Sequence, residues 1–307
     1  MISPNRPLRL GTRGSPLALA QARAGAEALC AANGWDEEAV EIVPMVTTGD
    51  RVKDRPLAEL GGKALWTKEL DRALLAGEVD ACVHSMKDVE SERPAELCVA
   101  AMLERADVRD RLIGAESIDS LPQGAVIGTS SPRRAAQLLR LRPDLRIEPF
   151  RGNVATRLAK VEAGEVAATL LAAAGLDRLG IEAGQAIATD HLLPAPGQAA
   201  IGIECRFDDS ATRALLAGIA HRDTVDCVYA ERSFTRGLGA SCASPVGALA
   251  QVDGDRLLLK VQILSTDGSH AVEDERTFDR GDGAGPEGLA RSLLDRAPDS
   301  IRALFAA

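Results

Sequence analysis

Residues 77–89 read GEVDACVHSMKDV, and the fold is decided there. Gly77 stops a helical pattern over 65–76. Val79, Ala81 and Val83 then alternate with Asp80, Cys82 and His84, the period-two signature of a short strand ending at Ser85. Met86, Lys87 and Asp88 follow, setting a cation and a carboxylate just past a strand's carboxyl end, where open α/β sheets hold ligands. Asp88 is therefore the first candidate for chemistry. The alternative is that Lys87 and Asp88 are ordinary solvated turn residues.

A chain of 307 residues exceeds one ordinary core and predicts two or three domains. With 46% hydrophobic and 26% charged residues it is globular. The longest apolar run, 166–176, is too short to cross a bilayer, and the opening residues carry no signal-peptide core, so a cytoplasmic protein without membrane association is expected. A net charge of −9 and only eight aromatic residues argue against a nucleic-acid partner. Yet 30 of the 36 basic residues are Arg, whose planar fork matches a carboxylate or phosphate in a way that Lys does not. Six Cys occur without a C-x-x-C pair, so no metal site or disulfide framework is expected. Five of them lie in apolar patterns; Cys242 instead sits in the Gly- and Pro-fixed loop RGLGASCASPVGA, where its thiol is accessible.

Along the chain, 8–10 reads as the first strand, and Ser15 and Pro16 as the N-cap and first residue of a helix, which places Arg13 in a glycine-flanked loop suited to a small anion. A strand over 40–46 leads into 47–64, a long stretch with little periodicity; the Gly61-Gly62 pair and Lys63 suggest a mobile lid, the alternative being simple disorder, with Trp66 opening the next helix. After a strand over 97–103, RADVRD (105–110) reads as a connector into a second α/β unit starting at Ala125. Its VIGTSSPRRAAQLL echoes LRLGTRGSPLALAQ of the first. Arg133 and Arg134 fall in the first turn of a helix, against the macrodipole, and so call for a local anion. Arg151, Arg157 and Arg178 follow later strands, so that four connections in all carry Arg toward one edge of a parallel sheet. The ligand implied has several carboxylates or phosphates. LPAPGQ (193–198) begins the return to the first unit. Beyond 210 come two helices, an antiparallel meander with turns at Asp253 and Asp267, and one closing helix over 286–305.

HSMKDV, GTSSPRR, RGNVATRL, LPAPGQ and GASCASPVGA, in this order, resemble the hydroxymethylbilane synthase (porphobilinogen deaminase) family from about Leu8 to the last helix. The resemblance implies two type II periplasmic-binding-protein-like α/β domains with a cleft between them, 1–103 with 200–218 and 104–199, and a small α+β domain with an antiparallel sheet and helices, 219–307. It implies a transferase that joins four porphobilinogen molecules head to tail into the linear tetrapyrrole hydroxymethylbilane, releasing ammonia. The chain grows on a dipyrromethane held by a thioether to Cys242. Asp88 is then the catalytic carboxylate. Lys87, Ser85, Arg133, Arg134, Ser131, Thr129, Asp50 and Gly175 join Cys242 around the cofactor. Arg13, Ser15, Arg151, Arg157, Arg178, Gln198, Lys63 and Trp66 belong to the substrate. A monomer with no other partner is implied. This chain departs from the family's usual pattern at Ala64, Trp66 and Glu90, where Gly, Phe and Pro are common.

Two other classes share parts of this pattern. A binding module of the periplasmic receptor type has a two-lobed cleft but no use for the Cys242 loop. An acyl-transfer enzyme using Cys242 needs a base that none of His84, His191, His221 and His270 supplies in sequence.

Overall fold

The computed structural model describes residues 6–46, 64–241 and 243–305. The chain divides into two compact units, one formed by the chain up to Ala106 with Ala200–Val225, the other by Asp107–Ala199 with Asp226–Ala307.

In the first unit β1 (Leu8–Arg13) feeds α1 (Pro16–Asn33), which begins as its sequence dictates: the Ser15 hydroxyl accepts from the Ala18 N–H and Pro16 occupies the first turn. Gly34, at φ 65°, ends it. β2 (Val40–Met45), α2 (Ala64–Leu75), β3 (Ala81–Ser85) and β4 (Leu97–Met102) follow. Arg13 is thus the last residue of β1, paired with Met45, and not part of the loop expected from its flanking glycines. The alternation in β3 has no wet face. Ala81 and Val83 pack with Leu10, Ala22 and Leu29, while Cys82 packs on the other side with Leu70 and Leu74 of α2, and Asp80 and His84 are buried too. Asp80 is held there by the Arg6 guanidinium at 2.7 and 2.8 Å and by the Arg9 N–H at 2.8 Å.

The second unit opens with β5 (Asp110–Ile113), a strand inside the stretch that reads as a connector. Only four residues long and starting on Asp-Arg, it has no periodicity to betray it; its place between two other strands is a tertiary fact. β6 (Val126–Gly128), α3 (Pro132–Leu141), β7 (Arg146–Glu148), α4 (Val154–Glu162), β8 (Ala168–Ala172), the short α5 (Ala173–Asp177) and β9 (Gln185–Ala186) complete this layer. The echo between the two units is structural: Ser131 caps α3 as Ser15 caps α1, each followed by Pro.

β10 (Ile201–Arg206) returns to the first unit and pairs antiparallel with both β3 and β4. The two five-stranded sheets then have the same plan, β2-β1-β3-β10-β4 and β7-β6-β8-β5-β9. In each, three parallel strands are followed by an antiparallel fourth supplied just after the chain crosses between units. Both sheets are therefore mixed, where the helix–strand alternation had suggested a parallel one.

Gly202 of β10 has no room for a side chain, since a Cβ there would sit 2.1 Å from the Met86 sulfur. Gly202→Ala is expected to cost about 1–3 kcal/mol and to shift the turn that carries Asp88. Paired thermal melts and turnover measurements check this; an unchanged melting temperature with full turnover refutes the packing account.

α6 (Ser210–Ala217) and α7 (Arg222–Gly237) lead to the antiparallel sheet β11 (Val246–Asp253), β12 (Arg256–Leu264) and β13 (Ala271–Asp279). Phe234, Leu259, Ile263, Leu289, Leu293 and Ile301 form its core. The closing helix is two helices, α8 (Ala284–Arg296) and α9 (Asp299–Arg302), because Pro298 lacks the N–H needed to continue the first and Ala297 turns extended before it. Glu231 of α7, fully buried, accepts from the N–H groups of Gly197 (2.7 Å) and Ala250 (2.8 Å), tying the LPAPGQ segment to β11.

Candidate functional site

The first unit carries a pocket at the carboxyl ends of β1 and β3, lined by Arg13, Ala18, Gln21, Thr67, Val83, His84, Ser85, Asp88 and Val89. Asp88 ends a 3-10 turn, Met86–Asp88, fixed by buried Met86, by the Met86 N–H on the Ala200 carbonyl (3.0 Å) and by the Val89 N–H on the Met86 carbonyl (3.2 Å). Among the described residues the Asp88 carboxylate makes no hydrogen bond or ion pair, and it is half-buried. A carboxylate held on a packed turn and left unengaged is available to a cationic or N–H donor ligand. Lys87, also half-buried, is its neighbour on the turn.

Sequence reasoning missed Gln21. Its amide donates to the Ser85 hydroxyl at 2.8 Å, and the hydroxyl returns a hydrogen bond at 3.0 Å, fixing Ser85 beside Asp88. The available signal was a polar residue on the buried side of α1, next to the Ala stripe.

Behind the pocket lies a charged cluster. The His84 Nε2 stands 3.2 Å from Glu204 Oε2, without hydrogen-bond geometry. Arg93 donates to both Glu204 oxygens at 2.9 Å and to Asp71. Burial pushes the Glu204 carboxyl up, but His84 and Arg93 outweigh it and hold it at about 2, against an ordinary 4.5. Burial is also the first influence on Asp71 and leaves its carboxyl raised despite Arg93. Because the Glu204 pKa is depressed by folding, its contribution is fully present above about pH 4.5 and is lost as pH falls through about 2. That displacement corresponds to about 3 kcal/mol. Glu204→Gln is therefore expected to melt lower at neutral pH and to converge on wild type between pH 5 and 2. Melts across that range check it, and parallel curves would refute it.

In the second unit Arg133 and Arg134 find an anion in their own chain. The Asp110 carboxylate accepts from Arg133 Nη2 at 2.8 Å and from Arg134 Nε and Nη2 at 3.2 and 2.7 Å. The expectation that these arginines call for an anion is met first by Asp110, which the connector reading concealed. Burial alone would raise the Asp110 carboxyl, but Arg134 and Arg133 hold it far below the usual carboxylate range. Burial lowers Arg133. Gln198 directs its amide to Asp110 (2.9 Å) and the Val108 carbonyl (2.7 Å). Ser131 caps α3, and Thr129 is buried beside it, accepting from the Ser131 N–H at 3.2 Å. Arg151 follows β7, and Arg157 on α4 donates to the Gly152 carbonyl at 3.0 Å. Gly175 is buried in α5, and Arg178 after it donates to the Ala199 carbonyl at 2.7 Å while burial lowers its pKa.

The structure thus collects the expected residues into two groups: Arg13, Ser85 and Asp88 at the pocket, with Ser15 and Lys87 adjoining, and Arg133, Arg134 and Gln198 around Asp110, with Thr129 and Ser131 at the start of the helix that carries the two arginines. Cys242, Asp50 and Lys63, with the proposed lid, lie outside the described residues, as does the side chain of Trp66.

A family profile described as porphobilinogen deaminase, dipyromethane cofactor binding domain, matches residues 8–214, and one described as porphobilinogen deaminase, C-terminal domain, matches 225–296. The chain belongs to the porphobilinogen deaminase family. Porphobilinogen deaminase from Sphingopyxis alaskensis is 56% identical over 100% of this chain and 99% of its own, and the Paracoccus denitrificans protein of that name is 50% identical over 97% of both. Among solved structures, a substrate binding domain of a putative amino acid ABC transporter from Streptococcus pneumoniae aligns at TM-score 0.43 and 11% identity, covering 70% of this chain and 92% of that one.

The porphobilinogen deaminase cofactor, dipyrromethane, offers pyrrole N–H donors and acidic side chains. The residues present fit it in kind: among the described residues Asp88 is an unengaged acceptor, and the Arg133–Arg134–Asp110 cluster has one positive charge in excess, with the Arg133 Nε buried and without an acceptor.

Proposed function

We propose that the protein condenses four porphobilinogen molecules into hydroxymethylbilane in tetrapyrrole biosynthesis, with Asp88 as the catalytic carboxylate and Cys242 as the thioether attachment point of the dipyrromethane. The observation that carries this reading is the unengaged Asp88 carboxylate on a fixed turn in a pocket that Arg13 also lines.

When bound, the cofactor would supply the nucleophilic pyrrole carbon to which the first unit is joined, each later unit joining the terminal pyrrole of the growing chain. Asp88 accepts from the substrate's pyrrole N–H, stabilises the positive charge that develops on that nitrogen as ammonia leaves, and takes up the proton displaced from the pyrrole carbon that forms the new carbon–carbon bond. Ser85, oriented by Gln21, and Lys87 hold cofactor side chains together with Arg133, Arg134, Ser131, Thr129, Asp50 and Gly175. Arg13, Arg151, Arg157 and Arg178 pair with substrate carboxylates, and Ser15, Gln198, Lys63 and Trp66 complete the binding surface. Bidentate Arg suits this task because every unit carries two carboxylates. The division into domains 1–103 with 200–218, 104–199 and 219–307 belongs to the same reading, as does a monomeric, cytoplasmic enzyme. No helix among the described residues is long and apolar enough to cross a membrane.

The test is stoichiometric. Purified protein given porphobilinogen should release one ammonia for each molecule consumed and form hydroxymethylbilane. Binding without consumption would return the protein to the receptor class.

A further inference from the structure

We propose that Asp110 is a positioning residue, which orients the guanidiniums of Arg133 and Arg134 so that the positive charge left over in their buried cluster receives a carboxylate of the dipyrromethane. This rests on the reading that these two arginines hold the cofactor.

Asp110 opens β5, a strand paired on both sides, and is 1% exposed, so its carboxylate stands on fixed backbone. Its two oxygens are fully engaged. Oδ2 accepts from Arg133 Nη2 and Arg134 Nε, and Oδ1 from Arg134 Nη2 and Gln198 Nε2. Arg134 is therefore gripped by both arms of its fork, and its Nη1 is fixed on the Leu170 carbonyl at 2.9 Å. The remaining acceptors of Arg133, the Leu193 carbonyl and Gln137 Oε1, are neutral.

Two guanidiniums against one carboxylate leave a buried excess of one positive charge. An uncompensated buried charge is costly, and here it sits in the first turn of α3, where the helix dipole adds to the cost. The buried Arg133 Nε, with no acceptor, is a second deficit at the same place. A single ligand carboxylate answers both. Asp110 fixes where that carboxylate must come, since it holds one edge of Arg134 and one Nη2 hydrogen of Arg133, and with Arg133 Nη1 already on Leu193 and Gln137 the donors left on Arg133 are its Nε and second Nη2 hydrogen.

Charge compensation alone is the competing account, and two variants that keep charge separate it from positioning. Asp110→Glu retains the anion but carries its oxygens one methylene further. Arg134→Lys retains the cation but loses the fork. Each is purified as expressed, checked for a cooperative melt, and analysed by intact mass for the fraction carrying the dipyrrole adduct. Positioning predicts melting close to wild type with the loaded fraction reduced about tenfold in both, the effect of losing one well-aligned charged hydrogen bond. Full loading in Asp110→Glu overturns the proposal. If Asp110→Glu does not fold, Asp110→Asn, which keeps the side-chain length and one acceptor oxygen, is analysed in its place, and full loading there overturns it. Arg133→Leu/Arg134→Leu serves as the control on the underlying reading: a fully loaded double variant shows that the arginine pair does not hold the cofactor, whatever Asp110 does.

Discussion

Asp88→Ala is expected to lower the rate of porphobilinogen consumption by roughly a hundredfold to a thousandfold, the usual effect of removing a preorganised electrostatic partner from a reaction that builds charge. Stability should hardly move. Asp88 makes no ion pair among the described residues, so its loss strands no buried cation, and the turn that carries it is held by Met86 and backbone hydrogen bonds. A surface-like change of about 0.5 kcal/mol or less in unfolding free energy is the corresponding expectation. This separates Asp88 from Glu204 and Asp110, whose carboxylates are tied to buried arginines and whose removal costs stability first. The adduct should remain on the protein, as intact mass would reveal. Near-normal turnover in Asp88→Ala would remove Asp88 from the chemistry.

Cys242→Ser is expected to abolish activity altogether, because no site remains on which the chain can start. Intact mass of the denatured, reduced wild-type protein should show one adduct equal to two porphobilinogen units less two ammonia molecules, mapping to the peptide around Cys242. A thioether survives both reductant and hydroxylamine, whereas a disulfide yields to the first and a thioester to the second. The variant should appear at the bare sequence mass. Cys205 and Cys227 are buried, and burial together with Cys98 pushes the Cys205 thiol up to about 12, so neither is a competing nucleophile. Their Ser variants should keep the adduct. An active enzyme with unmodified Cys242, or with the adduct elsewhere, would overturn the assignment.

What could be read from the chain in advance was local. Caps, glycine stops and period-two runs are encoded within a few residues, so α1, α3, β3 and the meander were visible, and Asp88 could be placed past a strand end. What stayed hidden depends on partners distant in sequence. β5 is a strand only because β8 and β9 flank it, and with it went Asp110, the anion that Arg133 and Arg134 meet. The burial of Cys82 and His84 reflects α2 lying over a face that alternation alone would leave wet. Gln21 was lost for a similar reason: its hydrogen-bond partner, Ser85, is 64 residues away.

The crossing of the chain between units bears on how the protein is made. β10 lies between β3 and β4 and is translated nearly a hundred residues after β4. Until Ile201–Arg206 leaves the ribosome, β3 presents an open edge, and β4 has no neighbour within its sheet. The N-terminal half cannot therefore mature first, as domains emerging in order usually do. A chain arrested before β10 is an incomplete sheet with exposed strand edges, the kind of surface on which another chain can pair.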